Sequence, residues 1–392
     1  MRYSICVVTG SRAEFGLLKP VIQRLEEDAD ICTWLVVTGS HISAECGNTI
    51  QEIEDEGFSI YETIPVLLNQ DDKRGMALST AKTLESFADF FGDNRPDILL
   101  VLGDRFEIFA VATAAAIMGI PIAHLCGGAV TEGAVDECLR HSISKMSCLH
   151  FTTCEMYRKR VIQLGENPEN VFNVGSLGVE NALRMNLLSV EELEKYLDFS
   201  LIGKNYAVVT FHPVTFEDNT ASQQVNELIL AISEFPNYQF IITKANADAG
   251  GRAINQIWDQ ETEKHNNWYV STSLGSRVYL SVLKHATMVI GNSSSGIIEA
   301  PALHTPTVNI GDRQKGREMS QSIISCDPIR KDIVKAINLA ASEYYQEAAY
   351  RGKSQYGNGR TSETVISIMK AFLQSGNIDI KKKFYNIDYE LK

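Results

Sequence analysis

Short apolar runs with few internal polar residues alternate with longer helical patterns along the whole chain, and the pattern restarts halfway. In the first half the runs are "SICVVTG" (4–10), "TWLVVTGS" (33–40), "ILLVLGD" (98–104), "PIAHLCGG" (121–128), "LHFTTC" (149–154) and "VFNVGS" (171–176). In the second half they are "YAVVTFHP" (206–213), "QFIITKA" (239–245), "WYVSTS" (268–273), "TMVIGNS" (287–293) and "PTVNIGD" (306–312). Most are continuous rather than alternating, which marks strands covered on both faces. Helical stretches such as "EFGLLKPVIQRLEED" (14–28), "EIFAVATAAAIMG" (107–119) and "ASQQVNELILAISEF" (221–235) lie between them. Strand then helix, repeated, specifies a doubly wound parallel sheet.

A chain of 392 residues exceeds one comfortable core. The expected fold class is therefore α/β, with two Rossmann-like doubly wound parallel-sheet domains facing a cleft. The polar stretch around 180–205 is the best boundary. It gives a first domain over 1–180, a second over 181–370, and a C-terminal segment over 371–392 that packs back on the first. From about Ser362 onward the pattern reads as helical, and the basic run Lys381–Lys383 reads as a solvated helix end.

A net charge of −13 argues against a nucleic-acid partner. No apolar run is long enough to span a bilayer, and "MRYSICVVTG" reads as a strand rather than a leader, so the expectation is a cytoplasmic chain with no membrane partner. The eight cysteines form no C-x-x-C pair, and several sit in strand-like runs as small hydrophobes. His124, Cys126, His141, Cys148, His150 and Cys154 crowd a short span, but their spacing matches no structural zinc pattern and alternates as packing residues do, so no metal site is assigned.

In doubly wound sheets ligands bind beyond the carboxyl ends of the strands, and the unusual residues gather in those loops. "GNSSSGIIEA" follows a strand and opens a helix. Unpaired helix N–H groups and serine hydroxyls there suit a phosphate, with Glu299 one turn in, where a carboxylate can accept from ribose hydroxyls. A plain serine N-cap explains the same letters. Arg12 and Lys19 flank the start of the first helix, and Arg313, Lys315 and Arg317 follow a strand of the second half. Cations after strands of both halves favour a shared anion site over surface coincidence. Asp104 and Arg105 close "ILLVLGDR", Asp136 and Glu137 follow a glycine-rich turn ahead of Arg140 and His141, and His212 tips the first strand of the second half. Each alone is more simply a salt bridge or a cap. Their joint placement makes Asp104, Asp136 and His212 candidate acid and base groups at one cleft.

Together "TGSRAEFGLLKP", "VTGSHISAECGNTIQEIEDEGF", "VLGDRFEIFAVATAA", "GAVDECLRHSISKMSCLHF", "RKRVIQLGENPENVFNVGSLGVENAL", "FHPVT" and "IGNSSSGIIEAPAL…VNIGDRQKGR" resemble the UDP-N-acetylglucosamine 2-epimerases, most closely the hydrolysing branch at the start of sialic acid biosynthesis. The motifs span almost the whole chain in order. The resemblance implies two Rossmann-like domains arranged as in GT-B glycosyltransferases. It implies that Arg12, Lys19, Ser293, Ser294, Glu299 and Arg313 hold UDP, that Asn292 and Gly296 shape the serine loop, and that Asp104, Asp136 and His212 are catalytic, with Arg105 and Glu137 beside them. The implied reaction removes the C2 proton as UDP leaves C1, passes through a 2-acetamidoglycal, and adds water with inversion at C2 to release N-acetylmannosamine. That chemistry requires no nicotinamide or metal cofactor. A homodimer or homotetramer acting on a UDP-sugar is the implied assembly.

The chain departs from the resemblance at one place. Relatives read His-x-(Glu or His)-Gly-Gly-Glu where this chain reads "HLCGGA", with Cys126 and Ala129 at the two polar positions and Glu132 three residues further on. Alanine neither transfers a proton nor orients water. The departure keeps a second reading open, a UDP-sugar-binding homologue with little or no catalysis. A GT-B glycosyltransferase is a third, and a reversible, non-hydrolysing epimerase is a near variant of the first.

Overall fold

The computed structural model describes residues 2–42, 49–66, 73–131, 135–213, 221–245, 251–376, 378 and 380–388. They form two compact units. The first is built from Met1–Val130, Val135–Leu177 and Arg360–Lys392, and the second chiefly from Gly178–Gly359. Both are parallel α/β units.

The first unit carries seven strands: β1 (Tyr3–Thr9), β2 (Ile31–Thr38), β3 (Ile60–Ile64), β4 (Ile98–Leu102), β5 (Ile122–Leu125), β6 (Leu149–Thr152) and β7 (Val171–Asn173). Their order is β3-β2-β1-β4-β5-β6-β7, all parallel. The chain therefore reverses its winding between β1 and β4. β1 and β4 are buried from Ile5 and Ile98 to their ends, as their unbroken apolar letters require. One face packs Leu18, Val21, Ile22 and Leu25 of the helix Arg12–Glu27 against Val365, Ile366, Met369 and Leu373 of the last helix, Thr361–Gln374. Polar ties reinforce this contact: Arg24 Nε donates to Ser362 Oγ at 2.8 Å, and Lys370 Nζ meets Asp28 at 2.7 Å and Asp30 at 3.0 Å. The other face packs Phe87, Phe90 and Phe91 against Ile108, Val111 and Ala115.

The second unit carries β8 (Asn205–Thr210), β9 (Tyr238–Thr243), β10 (Trp268–Ser271), β11 (Met288–Gly291), β12 (Thr307–Ile310) and β13 (Ile323–Cys326). The order is β10-β9-β8-β11-β12-β13, again all parallel, with the reversal between β8 and β11. At the end of β11, Gly291 holds φ at +136°, and a Cβ there would lie 1.9 Å from the Thr210 carbonyl. Only glycine lets the two switch-point strands approach this closely.

Two edge strands, β3 and β13, were not among the expected ones. "IYETI" exposes Tyr61 and Glu62, so it lacks the continuous apolar run of an interior strand. The C-terminal segment also differs from expectation. Its helix ends at Gln374, and Ile380–Asp388 has no regular secondary structure. Lys382 is no solvated helix end. Its Nζ reaches Glu166 Oε2 at 2.6 Å and the Lys145 carbonyl at 2.7 Å. Glu166 is 2% exposed and also accepts from Lys145 Nζ at 2.6 Å and lies 3.0 Å from His150 Nε2. Burial alone would raise its pKa, but these three partners bring it down to about 2. A buried carboxylate needs such partners, which is why the tail folds back onto it.

Candidate functional site

Each switch point places loops at the carboxyl ends of two adjacent strands, and the candidate residues fall on those loops.

In the first unit β1 gives way to Gly10 and to Ser11, the N-cap of the helix Arg12–Glu27. Gly10 N–H donates to Glu14 Oε2 at 2.8 Å. Glu14 is buried, and burial pushes its carboxyl up to about 7 against the pull of Arg105. Arg12 pairs with Glu52 at 2.9 Å and Lys19 with Glu56 at 2.6 Å. Both pairs are exposed, so they contribute little and yield readily to a stronger anion.

Beyond β4, Asp104 Oδ2 accepts from Arg140 Nε at 2.7 Å. Arg140 lies on the helix Val135–Met146 and is 3% exposed. Its Nη1 also donates to Glu137 Oε2 at 2.9 Å and to the Ala129 carbonyl at 2.8 Å. One buried guanidinium thus joins Asp104, Glu137 and the departing loop. The position of Ala129 works here through its main-chain oxygen. Glu137 Oε1 lies 3.1 Å from His141 Nε2. Asp136 sits in the first turn of the same helix and acts electrostatically on Arg105, whose guanidinium forks onto Glu107. Cys126 takes φ +69°, a left-handed conformation uncommon for a side-chain-bearing residue. Glu132 and Cys46 lie outside the described residues.

His124 and His150 are engaged as core groups. His124 Nε2 lies 2.8 Å from the Gly103 carbonyl and its Nδ1 3.1 Å from Ser144 Oγ. Burial brings its pKa down to about 3, so the ring is neutral and ties the Asp104 turn to the helix Val135–Met146.

In the second unit, Asn292 follows β11 and is 1% exposed. Its side chain accepts from His212 N–H at 2.7 Å and donates to the His212 carbonyl at 2.8 Å. Its own carbonyl accepts from Arg313 Nη1 at 3.0 Å and Gln314 Nε2 at 2.8 Å. The strand ends of β8, β11 and β12 are therefore fastened at one residue. Burial first, then Arg313, lowers the His212 pKa to about 4, so its imidazole is neutral at neutral pH.

Ser293 and Ser294 lead into the helix Ser295–Ala302. Ser294 is the N-cap residue and makes no side-chain cap bond, while Ser293 Oγ accepts from Ser295 N–H at 3.4 Å. Gly296 has a packing role: a Cβ there would lie 2.8 Å from Thr307 Cγ2, and its carbonyl accepts from Thr307 Oγ1 at 2.7 Å. It lets the helix lie close to β12. Glu299 is partly buried, and burial raises its carboxyl to about 7. Two residues of this unit escaped the sequence reading. Gln314 is buried beside Arg313 and holds the same carbonyl. Tyr279, on the helix Gly275–His285, faces Ser295, Thr210, Ser293 and Glu299, with its phenol pKa raised by burial. Gln314 was detectable as the neighbour of Arg313 in a strand-end loop. Tyr279 lies inside a helix and carried no such signal.

Asp104, Glu137, Arg105, Asp136 and Arg12 thus fall on strand-end loops and first helical turns of the first unit, and His212, Asn292, Ser293, Ser294, Gly296, Glu299 and Arg313 on those of the second; Lys19, expected beside the start of the first helix, lies about two turns inside it. In the first unit the buried Arg140 with its carboxylates, and in the second the neutral imidazole of His212, are groups suited to proton transfer. Among the described residues no helix is long and apolar enough to cross a membrane.

Known proteins resemble this chain over most of its length. A family model described as UDP-N-acetylglucosamine 2-epimerase matches residues 23–370. The chain is 42% identical over 384 residues to polysialic acid biosynthesis protein P7 of Escherichia coli, covering 98% of this chain and 97% of that protein. It is 43% identical over 324 residues to a hydrolysing GDP/UDP-N,N'-diacetylbacillosamine 2-epimerase of Campylobacter jejuni, covering 82% and 84%. The fold matches the crystal structure of Methanocaldococcus jannaschii UDP-GlcNAc 2-epimerase in complex with UDP-GlcNAc and UDP, with a TM-score of 0.77 at 19% identity over 95% of this chain and 100% of that one.

Proposed function

Because this chain belongs to the UDP-N-acetylglucosamine 2-epimerase family, we propose that it is a hydrolysing member that converts a UDP-2-acetamido sugar into UDP and the free sugar epimerised at C2. With UDP-N-acetylglucosamine as substrate the product is N-acetylmannosamine, the precursor of sialic-acid-type sugars. The observation that carries this reading is the buried Arg140 holding Asp104 and Glu137 side by side at the end of β4. The relatives named for polysialic acid synthesis and for a hydrolysing 2-epimerase support it.

In this reading a strand-end carboxylate of the Asp104, Asp136 and Glu137 group takes the C2 proton, since a weakly acidic C–H needs a placed base. The C1–O bond breaks, its electron pair leaves with UDP, and a C1=C2 double bond forms. Each unit offers groups that can take the charge of a departing diphosphate: Arg12 and Arg105 in the first, Arg313 and the amides ahead of Ser295–Ala302 in the second. Glu299 accepts from the ribose hydroxyls. Water then adds across the double bond, hydroxyl to C1 and proton to the opposite face of C2. His212, neutral at neutral pH, serves as a general base in that hydration.

The substitutions Cys126 and Ala129 favour a second reading, a UDP-sugar binder without turnover. Its weight is reduced by the main-chain role of Ala129. Proton NMR in deuterated water separates the two, with UDP-N-acetylglucosamine and a UDP-2,4-diacetamido-2,4,6-trideoxy sugar run in parallel. Free UDP with a C2-deuterated epimer establishes the hydrolysing reaction and names the substrate. UDP binding without turnover establishes the binder.

A further inference from the structure

Arg105 stands directly ahead of the helix Phe106–Ile117, in extended backbone (φ −61°, ψ 152°), and makes no side-chain cap bond. Its guanidinium turns onto Glu107 in a fork: Nε to Oε2 at 3.1 Å and Nη2 to Oε1 at 2.7 Å. The two ends of this pair differ. Glu107 is fully buried, whereas the Arg105 side chain is 40% exposed. The fork uses the Nε–Nη2 edge, so the Nη1–Nη2 edge is the one an incoming anion can meet.

The loops after β1 and β2 enclose Glu107. Ser40 donates to the Gly10 carbonyl through N–H at 2.8 Å and Oγ at 2.9 Å. Gly39 sits between, with φ +60°; a Cβ there would lie 2.5 Å from the Gly10 carbonyl and 3.2 Å from Glu107 Oε1. Three strand-end loops thus converge on one buried carboxylate. Glu14 and Asp136 also act on Arg105, and Asp104 lies close enough to act on Glu14. Glu14 spends Oε2 on Gly10 N–H, and its buried Oε1 has no partner among the described residues. Its carboxyl sits near 7 through burial, so around neutrality it is a weaker counterion than an ionised group. Among the described residues Glu107 alone meets Arg105 in a planar fork, and a fork fixes orientation as well as charge.

Resting on the reading above, we infer that Glu107 is a positioning residue, holding the Arg105 guanidinium in the one orientation that receives the diphosphate of the nucleotide sugar. It touches no ligand itself and acts through Arg105.

The test is a double-mutant cycle read by calorimetry with UDP as the probe, on wild type, E107Q, R105M, E107Q/R105M and R105K. The E107Q variant is expected to bind UDP about tenfold more weakly, as befits a lost charged hydrogen-bond pair. That loss is expected to vanish in the R105M background. R105K keeps the charge without the fork, and should bind as weakly as R105M to within about threefold. The inference is overturned by wild-type affinity in E107Q, by a Glu107 effect of undiminished size in the R105M background, or by wild-type affinity in R105K. Should E107Q fail to fold by circular dichroism, the R105K and R105M pair decides alone. Wild-type protein that binds no UDP overturns the nucleotide-sugar reading and this inference together; the other negative outcomes leave that reading intact.

Discussion

Asn292 holds His212 by both polar groups of its backbone, accepting from the N–H at 2.7 Å and donating to the carbonyl at 2.8 Å. Asn292 is 1% exposed, so neither bond is replaced by water when it is cut. The Asn292→Ala variant leaves two buried backbone groups unmet and should cost about 2–4 kcal/mol, read by urea denaturation. Asn292→Asp keeps the acceptor and loses the donor, and should lie between Ala and wild type on the same scale.

Arg140 carries a heavier burden, because it neutralises Asp104 and Glu137 while almost fully buried. Arg140→Met removes the guanidinium that both carboxylates share and should lower stability by about 3–5 kcal/mol in the same denaturation experiment. Asp104→Asn keeps the shape and one acceptor oxygen. It should fold, retain UDP binding within about threefold, and lose on the order of 10²-fold or more in the rate of C2 deuterium incorporation.

Two carboxyls set an unusual pH dependence. Glu14 and Glu299 both rise from 4.5 to about 7 on folding. The native state therefore keeps protons that the unfolded chain has released. This contribution is full below 4.5 and is lost as pH rises through 7. His212 has the opposite sign: its pKa falls from 6.5 to about 4, so its contribution is full above 6.5 and is lost as pH drops through 4. Unfolding free energies from urea titrations between pH 4.5 and 8 should decline less steeply in Glu14→Gln than in wild type, by up to about 1.4 kcal/mol per pH unit. An unchanged slope would show that Glu14 stays ionised in the native state.

Gly291→Ala would drive a methyl group into the Thr210 carbonyl at a φ of +136°. Separation of β8 from β11 is the only relief. The expected result is insoluble protein or a loss above about 3 kcal/mol, read as soluble yield and melting temperature.

The doubly wound character of both units was legible because interior parallel strands announce themselves as unbroken apolar runs. Edge strands do not: β3 faces solvent with Tyr61 and Glu62, and its letters lack the unbroken apolar run. The candidate loops were legible for a similar reason, since charged and small residues directly after an apolar strand have few structural excuses. The partnerships within them were not. Nothing in the spacing says that Arg140, thirty-six residues away, is what Asp104 meets, or that Arg105 turns back onto Glu107. Those pairings depend on which strands become neighbours, a property of the sheet order. The tail misled for another reason. Three consecutive lysines look like a solvated surface until a buried Glu166 calls one of them inward.

The last helix, Thr361–Gln374, belongs to the core of the unit that the first residues begin. On the ribosome, the strands of the first unit emerge early, yet Val365, Ile366, Met369 and Leu373 arrive only after the whole of the second unit has been synthesised. Until then the face of Leu18, Val21, Ile22 and Leu25 is missing its cover. The order of translation and the order of folding therefore cannot coincide: the unit begun first closes last, and a nascent chain halted before Arg360 presents an open apolar seam to solvent or to a chaperone.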